Sequence, residues 1–93
     1  MHFMKNRIFR VTHMAPGESG TITQVSLDEG ADVRLGEDGV RRLVELGFIP
    51  GEHLRVIRRG FPSGDPIAVR VGNSTFALRR TEAAAIKVIR DDA

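Results

Sequence analysis

The stretch Ile67-Ala68-Val69-Arg70-Val71-Gly72-Asn73-Ser74-Thr75-Phe76-Ala77-Leu78 decides the fold. Ile67, Val69 and Val71 alternate with Ala68 and Arg70. Phe76 and Leu78 alternate with Thr75, Ala77 and Arg79. Each run therefore has the two-residue period of a half-buried strand. Gly72-Asn73-Ser74 is turn chemistry, so the two runs read as a β-hairpin.

Upstream, Glu52 to Arg59 places Leu54 and Val56 on one face and His53, Arg55 and Arg58 mostly on the other, which predicts a strand with a basic outer side. Thr21 to Leu27 is rich in β-branched residues but alternates imperfectly, the pattern of a strand with a bulge or curve. Ala15-Pro16-Gly17-Glu18 and Ile49-Pro50-Gly51-Glu52 repeat an apolar-Pro-Gly-Glu pattern. Pro then Gly suits the centre of a type II turn, so shared turn chemistry explains the echo.

One segment has helical spacing. From Glu37 to Leu46 the apolar residues are Val40, Leu43, Val44 and Leu46, with the acids Glu37 and Asp38 at the positive N-terminal end. Gly47 suits the left-handed position after a helix, Phe48 can fold back onto Leu43, and Pro50 forbids continuation. From Thr81 to Ile89 the expectation is one helical turn capped by Thr81, then a closing strand with Ile86 and Val88 on one face.

These elements predict a mostly β fold, a small SH3-like β-barrel of about five strands with one short α-helix; closure removes exposed sheet edges. Ninety-three residues make a single domain spanning 1–93, with 1–6 and 91–93 expected to be flexible ends.

Composition narrows the function. The chain has no cysteine, which excludes disulfides, thiolate metal sites and thiol nucleophiles. It has neither the apolar core of a signal peptide nor a run of ~20 apolar residues, so a cytoplasmic location without direct membrane insertion is expected. Net charge is only +2, although 12 of the 14 cations are arginine. No nucleophile, base and orienting group can be named as a set, so the chain reads as a non-enzyme.

His2, His13 and His53 are not spaced to share a helix face, and a metal site needs three or four converging ligands; neither a metal nor a cofactor is expected. Asp28-Glu29 with Asp32 lacks calcium-loop spacing and reads as a solvated acidic loop. Gly60-Phe61-Pro62-Ser63-Gly64-Asp65-Pro66 lacks the Gly-Lys-Ser/Thr ending of a phosphate cradle and reads as a stiff hairpin loop. Met14, before a turn, reads as a core gap-filler. The arginine clusters at Arg41-Arg42, Arg58-Arg59 and Arg79-Arg80 are the basis of a competing reading, a small nucleic-acid-binding or regulatory barrel. Against that reading, the base-stacking aromatics such modules need are nearly absent.

The order of the motifs carries more than any one of them. Met14-Ala15-Pro16-Gly17-Glu18-Ser19-Gly20 is followed by Arg41-Arg42-Leu43-Val44-Glu45-Leu46-Gly47-Phe48-Ile49-Pro50-Gly51-Glu52. Gly64-Asp65-Pro66-Ile67 and Phe76-Ala77-Leu78-Arg79-Arg80-Thr81-Glu82-Ala83 come next. From Met14 to Ile89 this series resembles the FeoA family of ferrous-iron transport accessory proteins. The same barrel resembles the C-terminal domain of DtxR-type repressors, for whose other domains this chain has no room. The resemblance implies an SH3-like barrel in the cytoplasm, without catalysis, linked to transition-metal transport through a FeoB-type membrane permease.

The surface expected to meet that partner combines the exposed helix residues Arg41, Arg42 and Glu45 with Phe61, Ser63 and Asp65 of the hairpin loop. The three helix residues face away from the apolar stripe, and Phe61 stands on a loop tip without a core role. Oligomeric state is left open by the sequence.

Overall fold

The computed structural model describes residues 7–28 and 30–91. Of the ends expected to be flexible, 1–6 (with His2) and 92–93 lie outside the described residues, as does Glu29, while Asp91 lies within them. Six strands form one antiparallel sheet: β1 (Ile8–Arg10), β2 (Ser19–Val25), β3 (His53–Arg59), β4 (Ile67–Val71), β5 (Ser74–Leu78) and β6 (Ile86–Arg90). Helix α1 (Gly36–Leu46) lies between β2 and β3, and the short α2 (Arg80–Ala83) between β5 and β6. Strand order is β1-β6-β2-β3-β4-β5. The mostly β, SH3-like architecture is as expected, but there are six strands rather than five, and the sheet runs from β1 to β5 without closing into a continuous ladder.

The hairpin follows its sequence. Val71 pairs with Ser74 across the two-residue turn Gly72-Asn73, and Gly72 supplies φ 62°. Ile67, Val69 and Val71 are buried while Arg70 is exposed, as period-two alternation requires. Pairing of Val69 with Phe76 and of Ile67 with Leu78 puts these side chains on one face. The expected irregularity in β2 is a register shift between Ile22 and Gln24. A second shift in β3, between Val56 and Arg58, turns both Ile57 and Arg58 outward, and so sets Arg58 on the basic outer side with His53 and Arg55, as expected.

Both Pro-Gly turns behave alike. Glu18 N donates to Ala15 O at 3.0 Å and Glu52 N to Ile49 O at 3.1 Å, with Gly17 and Gly51 at φ 91° and 97°, the signature of type II turns.

Helix α1 stops as its sequence demands. Gly47 adopts φ 117°, its N–H donates to Val44 O at 3.0 Å, and Phe48 N donates to Leu43 O at 3.0 Å. This Schellman arrangement satisfies the last carbonyls and drives Phe48 into the core, where its ring meets Phe76 at 4.9 Å and 58°. Met14, Leu43 and Phe48 belong to one apolar cluster with Ile22, Leu54 and Val69, and no polar or charged side chain among the described residues is fully buried.

The apolar face of α1 is narrower than its spacing suggested. Leu43 is its one buried residue, while Val44 and Leu46 remain 41% and 47% exposed. Nor does Thr81 cap α2. Arg79 occupies the cap, and the Glu82 carboxylate accepts from Arg79 N at 2.7 Å, so the N3 acid reaching back supplies the cap and leaves Thr81 inside the turn.

Strand β1 was not anticipated. It pairs with β6 through Ile8↔Ile89, Phe9↔Val88 and Arg10↔Lys87, and Arg90 lies over the Phe9 ring at 4.7 Å from its centroid. Asp91, expected in a frayed end, is tied down: its N–H donates to Ser19 O at 2.8 Å, and its carboxylate accepts from Ser19 Oγ at 2.8 Å and meets His53 Nε2 at 2.9 Å.

Candidate functional surface and cleft

Helix α2 links the regions that carry the candidate residues. It packs against α1 on one side. On the other, the Asp65 carboxylate accepts from Arg80 N at 3.0 Å, and an Arg80 guanidinium N–H donates to Ser63 O at 3.4 Å. The loop is further braced by Gly64 N donating to Gly60 O at 2.6 Å and Asp65 N to Ser63 Oγ at 3.4 Å. Ser63 and Asp65 therefore have structural work in holding the loop against α2. Phe61 stands clear of it at 96% exposure. A stiff loop is thus built beneath an aromatic that contributes nothing to the core.

On α1, Arg41, Arg42 and Glu45 are all exposed, as their spacing predicts. Arg41 donates to Asp38 at 2.9 Å one helical turn away, a solvated pair of little energetic weight. Arg42 and Glu45 form no ion pair among the described residues. Val44 and Leu46 lie on opposite flanks of buried Leu43, roughly 200° apart around the helix with these charges between them, and Ile49 after the helix is 39% exposed. Sequence periodicity had grouped Val44 and Leu46 with Leu43 in one apolar stripe, which hid their exposure.

The acidic loop is not simply solvated. Asp28 bridges Arg10 of β1 at 2.7 Å and Lys87 of β6. Hydrogen bonding, first from Lys87 and then from Arg10, holds its carboxyl down at about 2, against an ordinary 3.8. Asp32 accepts from the Arg34 guanidinium at 2.6 and 3.0 Å and from Arg34 N at 2.9 Å, which likewise lowers it to about 2.

Beside this loop is an open cleft of about 390 Å³ lined by Thr12, His13, Gly30, Ala31, Asp32, Arg59, Arg80 and Ala84. It joins one arginine from each of two sequence clusters, 21 residues apart, because the end of β3 and the start of α2 meet there. Arg59 is held by donating from Nη1 to Met14 O at 2.9 Å.

Among the described residues no three His, Asp or Glu side chains converge. His53 and Asp91 make only a pair, with Ser19 on the same carboxylate. That carboxylate is stabilised as the anion by His53 and then Ser19, and the donor set falls short of a resident zinc centre.

The FeoA domain pattern matches residues 9–90. The chain belongs to the FeoA domain family. Among solved structures, the Stenotrophomonas maltophilia FeoA, complexed with zinc, is 31% identical; the match covers 87% of this chain and 93% of that one at a TM-score of 0.70. That protein is described as a prokaryotic SH3 domain protein and put forward as a ferrous iron transport activating factor. An iron uptake regulatory protein of the FeoA family is 25% identical, covering 90% and 99% of the two chains at 0.71. A manganese-dependent transcriptional repressor shares the fold at 24% identity and a TM-score of 0.70, with the match spanning 43% of its length. No curated protein sequence matches the chain. Among the described residues, no helix of this FeoA domain is long and apolar enough to cross a membrane.

Proposed function

We propose that this FeoA domain is a non-enzymatic, cytoplasmic accessory protein of ferrous iron transport that docks on the cytosolic part of a FeoB-type permease and shifts the balance among its conformations. The family match over residues 9–90, with relatives described by iron uptake and ferrous iron transport, carries the assignment. The docking surface is the exposed helix face of Arg41, Arg42 and Glu45, flanked by the partly exposed apolar side chains of Val44 and Leu46 and by Ile49, together with Phe61, Ser63 and Asp65 of the loop. The reading is supported by the chemistry of interfaces. Apolar side chains supply the buried contact, the charged rim sets orientation and on-rate, and an exposed aromatic on a braced loop loses little entropy on docking. Modulation follows if the domain binds one permease conformation better than another.

Two measurements test this reading together. Ferrous iron uptake in cells lacking only this gene should fall and recover with a plasmid copy. Copurification of the permease with the domain should be weakened by the double reversal R41E/R42E and by F61S, with the purified variants as stable as the parent. Unchanged uptake in the deletion strain removes the transport role. Uptake that depends on the gene, with both variants copurifying normally, removes the surface and leaves the role.

A further inference from the structure

We propose that the cleft between the end of β3, the 30–32 segment and α2 binds a small dianionic oxyanion of the phosphate or dicarboxylate class. The guanidiniums of Arg59 and Arg80 would hold it, assisted by the side chains of His13 and Thr12. This inference stands apart from the docking reading: of the residues assigned there, Ser63 and Asp65 enter only as supports of Arg80.

The first observation is a charge imbalance. Arg10, Arg34, Arg41 and Arg90 each meet a carboxylate of the domain. Arg59 and Arg80 line a common cleft, and among the described residues neither guanidinium meets one; the Asp65 carboxylate accepts from the Arg80 backbone N–H instead. Their hydrogen-bond partners are carbonyl oxygens, Met14 O at 2.9 Å for Arg59 and Ser63 O at a long 3.4 Å for Arg80. A carbonyl orients a guanidinium without neutralising it, so two guanidiniums share one concavity with no carboxylate paired to either among the described residues.

The second observation concerns the only acid among the described lining residues. Asp32 accepts three hydrogen bonds from Arg34, which neutralises it and occupies its oxygens. Among its described lining residues the cleft is therefore rich in donors and poor in acceptors, the reverse of a cation site. Guanidinium N–H groups are matched by geometry to phosphate or carboxylate oxygens, with bidentate contacts adding to the charge attraction.

Size and rigidity point the same way. A volume of about 390 Å³ lies in the range of roughly 300–1,000 Å³ that small ligands occupy. Ala31 and Ala84 supply apolar wall for an organic stem. Arg59 is fixed by Met14, so its guanidinium is positioned before a ligand arrives, and Asp65 anchors the backbone from which Arg80 reaches in.

The test uses the full chain labelled with ¹⁵N, titrated separately with sodium phosphate and with succinate at constant ionic strength, reading backbone amides and arginine Nε–H signals. Expected is a saturable shift confined to Arg59, Arg80, residues 12–13 and 30–32. Saturation with phosphate alone assigns the phosphate class, and with succinate alone the dicarboxylate class. Arg80→Gln keeps the backbone N–H that binds Asp65 and should weaken binding about tenfold or more, the loss expected for one charged hydrogen-bonding partner. Arg59→Lys keeps charge near Met14 while losing the fork, and should weaken it less. Shifts that rise linearly without saturation and appear equally at Arg55 and Arg70 overturn the proposal. So does an unchanged affinity in an Arg80→Gln protein whose amide spectrum is otherwise intact.

Discussion

Truncating Leu43 to alanine should cost this domain far more than the same cut at its neighbour Val44, although the two share one helix and one apolar spacing. Leu43 is 1% exposed and the sole buried residue of α1. Its loss removes roughly three methylene equivalents at ~0.8 kcal/mol each, about 2.4 kcal/mol from transfer alone. The cavity left among Phe48 and its cluster neighbours brings the expected total to about 3–5 kcal/mol. That is a large share of the ~5–15 kcal/mol stability of an ordinary domain, and should lower the melting temperature by about 10 °C or more. Val44→Ala, by contrast, removes a side chain already 41% exposed and exchanges a β-branched residue for the best helix former. A propensity gain of about 0.5 kcal/mol offsets most of what it loses, so its net effect should be within about 1 kcal/mol. Equilibrium urea unfolding of both variants, compared at common slope, measures the difference. A Val44→Ala loss equal to that of Leu43→Ala would refute the narrow buried face, and with it the availability of Val44 to the docking surface.

Other outcomes follow from single contacts. Gly47→Ala should destabilise by about 1 kcal/mol, since φ 117° is strained for any side chain while open space surrounds the missing Cβ; thermal unfolding reads it. Gly20→Ala should cost about 1–3 kcal/mol for a different reason, because its Cβ would be driven into the Ile89 carbonyl and the Val88 side chain across the β2–β6 pair; urea unfolding measures the loss, and wild-type stability would contradict the close approach. Asp28 and Asp32 have folded values of about 2, below the unfolded 3.8, so the stability they contribute is complete above that upper value and is lost as pH falls through about 2. Unfolding free energy at fixed ionic strength should therefore decline with acid across that window, and Asp28→Asn should flatten the decline.

What was legible in the sequence was local. The β4–β5 hairpin showed because five residues of clean alternation met a two-residue turn, and the end of α1 showed because Gly47, Phe48 and Pro50 all demand the same stop. Strand β1 escaped because three residues are too few to display a period; its position comes from pairing with β6, on the far side of the sequence. Val44 and Leu46 were misassigned since helical spacing shows which residues can share a face, not how wide a stripe the sheet will cover. The cap of α2 went to Arg79 because Glu82 reached back past the nearer Thr81. The meeting of Arg59, Arg80 and His13 had no sequence signal: each belongs to a different element, and only the tertiary fold juxtaposes them.

Strand β6 lies between β1 and β2, yet it is the last strand of the sheet to leave the ribosome. Until Ile86–Arg90 emerges, β1 has no partner among the described strands and β2 is paired only along its border with β3. The nascent chain can make the β3-β4-β5 meander early, but the sheet cannot be completed until the final strand slots into an interior position. A premature stop a few codons before Ile86 would therefore remove a central strand, and such products should be cleared by proteases instead of accumulating as a shortened but working domain.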